Sequence, residues 1–273
     1  VKKILLIVVG VAVAIFLVFR LVTLSKSAAA ATKGTPAKVN ASNLYTQAMG
    51  LEEEGDVLQA KELYRKIVAD YPDFNKVEEI QKKIDDLSMK ILVSKMETPN
   101  TIIHTVEAGD SLAKIAKKYH VTIALIKKSN GLLSDTIRVG QRLRIWKGVL
   151  NVFVDKSQNI LVFKSDDEII KVYAVSTGKD NSTPVGTFTI EGKLVNPVWF
   201  KSGAVIAAGS PENALGSRWM GFDSSAAGYG IHGTIEPESI GKQVTAGCVR
   251  MRNSDVEELY DLLPDGTKVT IVD

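Results

Sequence analysis

Apolar residues fall along this chain in four successive patterns, and each predicts a different kind of element. The first is an uninterrupted apolar run from Ile4 to Phe19 that follows Lys2 and Lys3, breaks at Arg20 and resumes as Leu21-Val22-Thr23-Leu24. No polar face interrupts it, so residues 1–24 read as an export signal or membrane helix rather than a buried core helix. Spanning a bilayer takes about 20 apolar residues, a length reached here only by including those after Arg20. Ala28-Ala29-Ala30 offers a small-residue cleavage site, so a cleaved signal stays open beside the preferred reading, a retained anchor. No cysteine lies nearby, which excludes a lipid-modified one. Residues 25–40, rich in Ala, Ser, Thr and Lys, read as a linker. The basic residues on either side of the run do not orient it.

From residue 41 apolar positions recur at helical spacing. Leu44, Ala48 and Leu51 share one face, Gly55-Asp56 turns the chain, and Ala60, Tyr64 and Ile67 form the facing stripe. Tyr71-Pro72 ends the second helix and a third pattern runs from Val77 to about Leu92, making 41–95 a helical segment. The period then shortens. Ile102 to Val106 alternates like a strand, and Ala108-Gly109 turns. Asp110 is placed to cap a helix carrying Leu112, Ile115, Ala116 and Tyr119. Thr122 caps a second short helix that closes at Asn130-Gly131, and Leu143 to Ile145 returns as a strand. Residues 102–147 are therefore expected to be a small βααβ domain. Beyond it, Leu150–Val154, Ile160–Phe163, Ile169–Val175 and Thr187–Ile190 read as strands. Ser254 and Glu257 suggest a capping box for one helix bearing Val256, Leu259, Tyr260 and Leu263, and Thr267–Val272 returns as a strand. Residues 150–273 should form a mostly β sandwich or barrel.

Length and composition fit this multidomain reading: 273 residues suit two or three domains, and 45% hydrophobic with 24% charged residues is ordinary for globular protein. The net charge of +3 hides an asymmetry. Residues 102–147 hold nine bases against three acids, while 148–273 hold eleven against sixteen. No aromatic-interleaved basic groove accompanies the basic module, so the excess reads as a solvated surface and no nucleic acid is expected. His104 and His120 have no companions at metal-ligand spacing, and no metal site is expected.

The chemistry concentrates near the C-terminal end. The chain has a single cysteine, Cys248, which can form no internal disulfide and is worth reading as a reactive thiol. It lies in Thr245-Ala246-Gly247-Cys248-Val249-Arg250-Met251, and the domain's one histidine lies in Tyr229-Gly230-Ile231-His232-Gly233-Thr234. Glycine permits backbone turns that aim consecutive amides at one spot, as an oxyanion site requires. A free thiol ionises near 8.5, so a neighbouring imidazole would make it useful at neutral pH.

Three resemblances attach to these motifs. Ala48, Ala60, Tyr64 and Pro72 at their spacing resemble a single tetratricopeptide repeat, whose partner is unknown; a plain helical spacer fits equally. Residues 102–147 resemble a lysin motif (LysM) through His104-Thr105-Val106, Gly109-Asp110-Ser111-Leu112, Asn130-Gly131-Leu132 and Val139-Gly140-Gln141. That resemblance implies a groove for the N-acetylglucosamine-containing glycan of peptidoglycan, with Gly109, Asp110, Ser111, Leu112, Leu132 and Ile137 at the matching positions.

Residues 150–273 are similar to the L,D-transpeptidases. The match is His232-Gly233 sixteen residues before Cys248 in Thr245-x-Gly247-Cys248-Val249-Arg250, supported by Thr183-Pro184-Val185-Gly186-Thr187-Phe188, Asn196-Pro197-Val198-Trp199 and Asn213-Ala214-Leu215-Gly216-Ser217-Arg218-Trp219. The family implies Cys248 as acylated nucleophile, His232 as general base and the Gly233 carbonyl as the group orienting the imidazole. Gly247 and Cys248 amides become candidate oxyanion donors. Arg250 is expected to support the loop or the substrate carboxylate, with a structural ion pair as the alternative. Ala246 departs from relatives, which often carry histidine or another polar residue there. The implied reaction joins third residues of two stem peptides (a 3→3 cross-link), needs no cofactor, is a carbapenem target, and takes place in the cell envelope. A thiol hydrolase (L,D-carboxypeptidase) and a non-catalytic wall-binding scaffold are the alternatives.

Overall fold

The computed structural model describes residues 40–273 except Ser202; the expected anchor and nearly all of the linker after it lie outside the described residues. Among the described residues no helix is long and apolar enough to cross a membrane. The chain divides into two compact units, one ending at Ile91 and one spanning Leu92–Asp273.

The first unit is helical. Helix α1 (Ala41–Glu53) starts where Asn40 accepts a hydrogen bond from Asn43 N, and α2 (Val57–Asp70) where Asp56 accepts from Gln59 N. Helix α3 (Val77–Val93) follows. Ala48, Ala60, Tyr64 and Ile67 are fully buried, so two small residues let the helices approach around one large ring, as the periodicity predicted. The Tyr64 hydroxyl donates to Glu52, which also pairs with Lys83.

The second unit opens with the βααβ domain: β1 (Thr101–Thr105), α4 (Leu112–Tyr119), α5 (Ile123–Asn130) and β2 (Arg142–Trp146), the strands antiparallel. The helix starts are partly as expected. Thr122 caps α5, but Ser111, not Asp110, caps α4, by accepting from Lys114 N. The Asp110 carboxylate is engaged elsewhere, by Glu107 N and by His104 Nε2, so the neighbouring hydroxyl takes over. His104 is a buried core residue, its other nitrogen 3.1 Å from the Tyr119 hydroxyl. His120 adopts a left-handed conformation at the end of α4.

The rest is a mixed sheet. Its strands are β3 (Leu150–Asp155), β4 (Ile160–Ser165), β5 (Glu168–Ala174), β7 (Gly186–Val195), β10 (Arg218–Phe222), β11 (Gly230–His232), β13 (Val249–Arg250) and β14 (Lys268–Val272), in the order β13-β11-β10-β7-β14-β3-β4-β5. Two small pairs flank it: β6 (Thr177–Gly178) with β12 (Gln243–Thr245), and β8 (Trp199–Lys201) with β9 (Ala204–Ile206). It is a single sheet rather than a two-sheet sandwich. Ser176, just past β5, exchanges two 2.8 Å backbone hydrogen bonds with Arg250 on β13, so the sheet's two ends meet. Its interior holds Val152, Val154, Leu161, Phe163, Ile190, Met220, Ile231 and Ile271.

One helix, α6 (Asn253–Leu262), packs Val256, Leu259 and Leu262 inward. The expected capping box is absent: Arg252 stands at the N-cap with no side-chain bond, and Ser254 lies inside the first turn. At its other end, α6 meets the βααβ domain. Thr122 Oγ1 donates to the Asp261 carbonyl and Lys128 pairs with the Asp261 carboxylate at 2.7 Å; the domain also touches β4, where Trp146 Nε1 donates to Ser165 Oγ at 3.0 Å.

Candidate functional site

Two strands bring the cysteine and histidine together. β11 and β13 are parallel neighbours, with Ile231 opposite Val249 and His232 opposite Arg250. Sixteen residues of chain thus return Cys248, just before β13, beside the strand that ends in His232. The Met251 amide bonds to the His232 carbonyl at 2.8 Å and fixes that return.

The imidazole is buried, with Trp219 of β10 stacked against it at 6.0 Å between ring centroids. Its Nδ1 lies 2.6 Å from the Gly233 carbonyl oxygen. A carbonyl only accepts, so Nδ1 carries the proton and Nε2 presents a lone pair. Burial pulls the ring's pKa down to about 4, and the Arg250 charge pulls the same way; the bond to Gly233 opposes them. The ring is therefore neutral at physiological pH.

Cys248 is half-buried, its sulfur 3.9 Å from the Gly228 carbonyl. Burial pushes the thiol pKa up, while a backbone hydrogen bond from Gly230 and the Arg250 charge pull it down. Among the described residues no hydrogen bond joins this sulfur to the imidazole. Such bonds are often long in unliganded enzymes and tighten around substrate.

The turn before the cysteine is built by Thr245. Its hydroxyl donates to the Cys248 carbonyl at 2.7 Å and accepts from Gly247 N at 3.1 Å. The Gly247 amide is therefore spent inside the turn, which leaves the Cys248 amide as the candidate oxyanion donor of the two. Gly247 itself has φ +126°, and a Cβ there would collide with the Tyr229 ring. Both facts demand glycine.

Arg250 is buried and forms the ion pair that stood as the alternative: Nη1 is 2.8 Å from Glu236 Oε2 and 2.9 Å from Ser239 Oγ. The partners sit in the turn after His232-Gly233, so this pair is also the loop support. Asn213, from the third supporting motif, is buried and donates to the carbonyls of Pro197 and Ala207, pinning the β7–β10 connection. Sequence reasoning gave no role to Thr245 or Glu236. The first was visible as a hydroxyl two residues before a glycine; the second had no local signal.

The six positions expected to hold glycan fall on two separate loops. Gly109 to Leu112 form the turn into α4, with Leu112 buried and Gly109 exposed; Leu132 and Ile137, half-buried, lie on the loop leaving α5. No hydrogen bond joins the two loops among the described residues. A shallow cleft of about 680 Å³, lined by Ser134, Thr136, Arg138, Val139 and Gln141, adjoins the second loop and includes neither Cys248 nor His232.

Comparison with known proteins agrees with both motifs. The family model for the L,D-transpeptidase catalytic domain (YkuD) matches residues 151–271, and that for the LysM domain matches 104–146. A Bacillus subtilis (strain 168) protein named as an L,D-transpeptidase, YqjB, is 45% identical over 126 residues, covering 45% of this chain and 70% of its own. Another from that strain, YkuD, is 32% identical over 177 residues, covering 62% of this chain and 98% of its own. A crystal structure of an L,D-transpeptidase from Mycobacterium tuberculosis H37Rv aligns with a TM-score of 0.40 at 19% identity, over 50% of this chain and 63% of that one. The assignment rests on the sequence matches alone.

Proposed function

The chain belongs to the L,D-transpeptidase family, and on that premise we propose that Cys248 and His232 carry its acyl transfer between peptidoglycan stem peptides. The enzyme acts on the cell wall, and its LysM module binds the same polymer, which supports work outside the cytoplasm. Its apolar first 24 residues support a retained anchor that holds it at the membrane.

The observation that carries the mechanism is the Nδ1–Gly233 bond, which turns Nε2 into the free acceptor. Burial makes both the imidazolium and the thiolate costly, so the resting pair is neutral thiol and neutral imidazole. Proton transfer then accompanies attack. Nε2 takes the thiol proton as the sulfur adds to the carbonyl of the third stem residue. The Cys248 amide meets the developing oxyanion. Collapse breaks the amide bond, the imidazolium returns its proton to the departing D-alanine amine, and a thioester remains. An amine of a neighbouring stem adds next, giving its proton to Nε2. The thiolate leaves and recovers that proton, completing the 3→3 cross-link.

Mass spectrometry of a disaccharide-tetrapeptide incubated with the protein tests this reading. A cross-linked dimer that has lost one D-alanine is expected, and its formation should stop in Cys248→Ala. Tripeptide alone would convert the assignment to a hydrolase.

A further inference from the structure

Asn253, the first residue of α6, does something its position in a helix does not require. Its Oδ1 accepts from Thr234 N at 2.9 Å and from Ser217 N at 3.2 Å. Both partners are donors, so the contacting atom is the amide oxygen and the side chain has one orientation. Space for it exists because Gly216 and Gly233 have no side chains; a Cβ at either would collide with this oxygen.

The Thr234 N–H and the Gly233 C=O belong to one planar peptide group. That carbonyl is the acceptor for His232 Nδ1. A hydrogen-bonded line therefore runs from the imidazole Nδ1–H to the Gly233 oxygen, across the peptide, and from Thr234 N–H to Asn253 Oδ1. Hydrogen bonds in such a line polarise one another: a bond accepted from the N–H side makes the carbonyl a stronger acceptor. The far end is rigid, since α6 is anchored by buried Val256, Leu259 and Leu262.

We infer that Asn253 is a positioning residue for His232, setting the plane and acceptor strength of the Gly233–Thr234 peptide that holds the imidazole. The inference rests on the reading of His232 as base. Its substitution should slow the step that needs an oriented imidazole and spare reactions that need only an accessible thiol.

The test uses the full chain with Asn253→Ala, Asn253→Asp and Asn253→Ser, each normalised to titratable thiol. Acylation of Cys248 by a carbapenem and alkylation by iodoacetamide are timed in parallel. Asn253→Ala is expected to acylate roughly 10–100-fold more slowly, the scale of a small misplacement of a catalytic group, with alkylation little changed. Asn253→Asp keeps an acceptor oxygen in place and should recover most of the loss. Asn253→Ser, whose shorter side chain draws the oxygen back, should also be slow and serves if the alanine variant does not fold. Parent-rate acylation in Asn253→Ala or Asn253→Ser overturns the inference, as does an Asn253→Asp protein as slow as Asn253→Ala. His232→Ala in the same assay separates the two ideas. If it acylates at the parent rate, the base assignment falls; if it is slow while Asn253→Ala is not, only the positioning role falls.

Discussion

His232 Nδ1 and the carbonyl oxygen of the next residue, Gly233, are 2.6 Å apart, so the backbone supplies what a carboxylate supplies in a catalytic triad. A carbonyl orients the ring and fixes its tautomer without adding negative charge, so burial is free to keep the ring neutral.

That neutrality has a consequence for stability. The ring's pKa falls from an ordinary 6.5 to about 4 on folding, so below 6.5 the unfolded chain binds the proton that the folded one refuses. The contribution is whole above 6.5 and is lost as pH falls from there toward 4. Melting temperatures at pH 7 and pH 5 should differ more for the parent than for His232→Gln. An equal difference in the two proteins would remove the buried neutral imidazole from the account.

Thr245 closes the turn before Cys248 through one hydroxyl with two bonds. Thr245→Val should lower the rate of Cys248 acylation about tenfold by loosening the sulfur's placement, while Thr245→Ser should hold it near the parent. Stopped-flow acylation with a carbapenem reads this directly. A valine variant as fast as the parent would show that the turn holds itself.

Gly247 is doubly constrained, by φ +126° and by the Tyr229 ring. Gly247→Ala should cost about 1–3 kcal/mol of stability from backbone strain alone and most of the activity. Chemical denaturation and turnover measure the two effects; an alanine variant that matches the parent in both would contradict the geometry.

The LysM module shares contacts with α6 through Thr122 and Lys128, and with β4 through Trp146. Removing 102–147 should therefore lower the melting temperature of what remains, so point changes are the cleaner probe of wall binding. Leu132→Asp with Ile137→Asp should weaken sedimentation with insoluble peptidoglycan while leaving turnover of small soluble stems intact. Unchanged sedimentation would move the glycan site elsewhere.

Long periodic segments were legible in the sequence: the helices of 41–95, and β3, β4 and β5 with their β-branched runs. The strands that build the site were not. β10, β11, β12 and β13 span two to five residues, and the first two also contain glycine, so they are too short for alternation to register. Nor does sequence order betray that β14 inserts between β3 and β7. Cap assignments failed where two competent residues adjoin: His104 claims Asp110 and leaves Ser111 to cap α4. Asn253 faces the site instead of closing its own helix, so a local capping rule overlooks it. Cys248 and His232 were visible because glycine crowds both, a backbone requirement that a sequence records directly.

The pairing of Cys248 with His232 is tested most directly by one comparison of rates. Cys248 is the only sulfhydryl in the chain, so covalent mass gain is unambiguous. A carbapenem should add one-to-one, and Cys248→Ala should abolish the adduct. His232→Ala should acylate by very roughly 10²–10⁴-fold more slowly, the usual contribution of a general base, while its alkylation by a small thiol reagent changes far less. A His232→Ala protein that acylates as fast as the parent would contradict the catalytic pair.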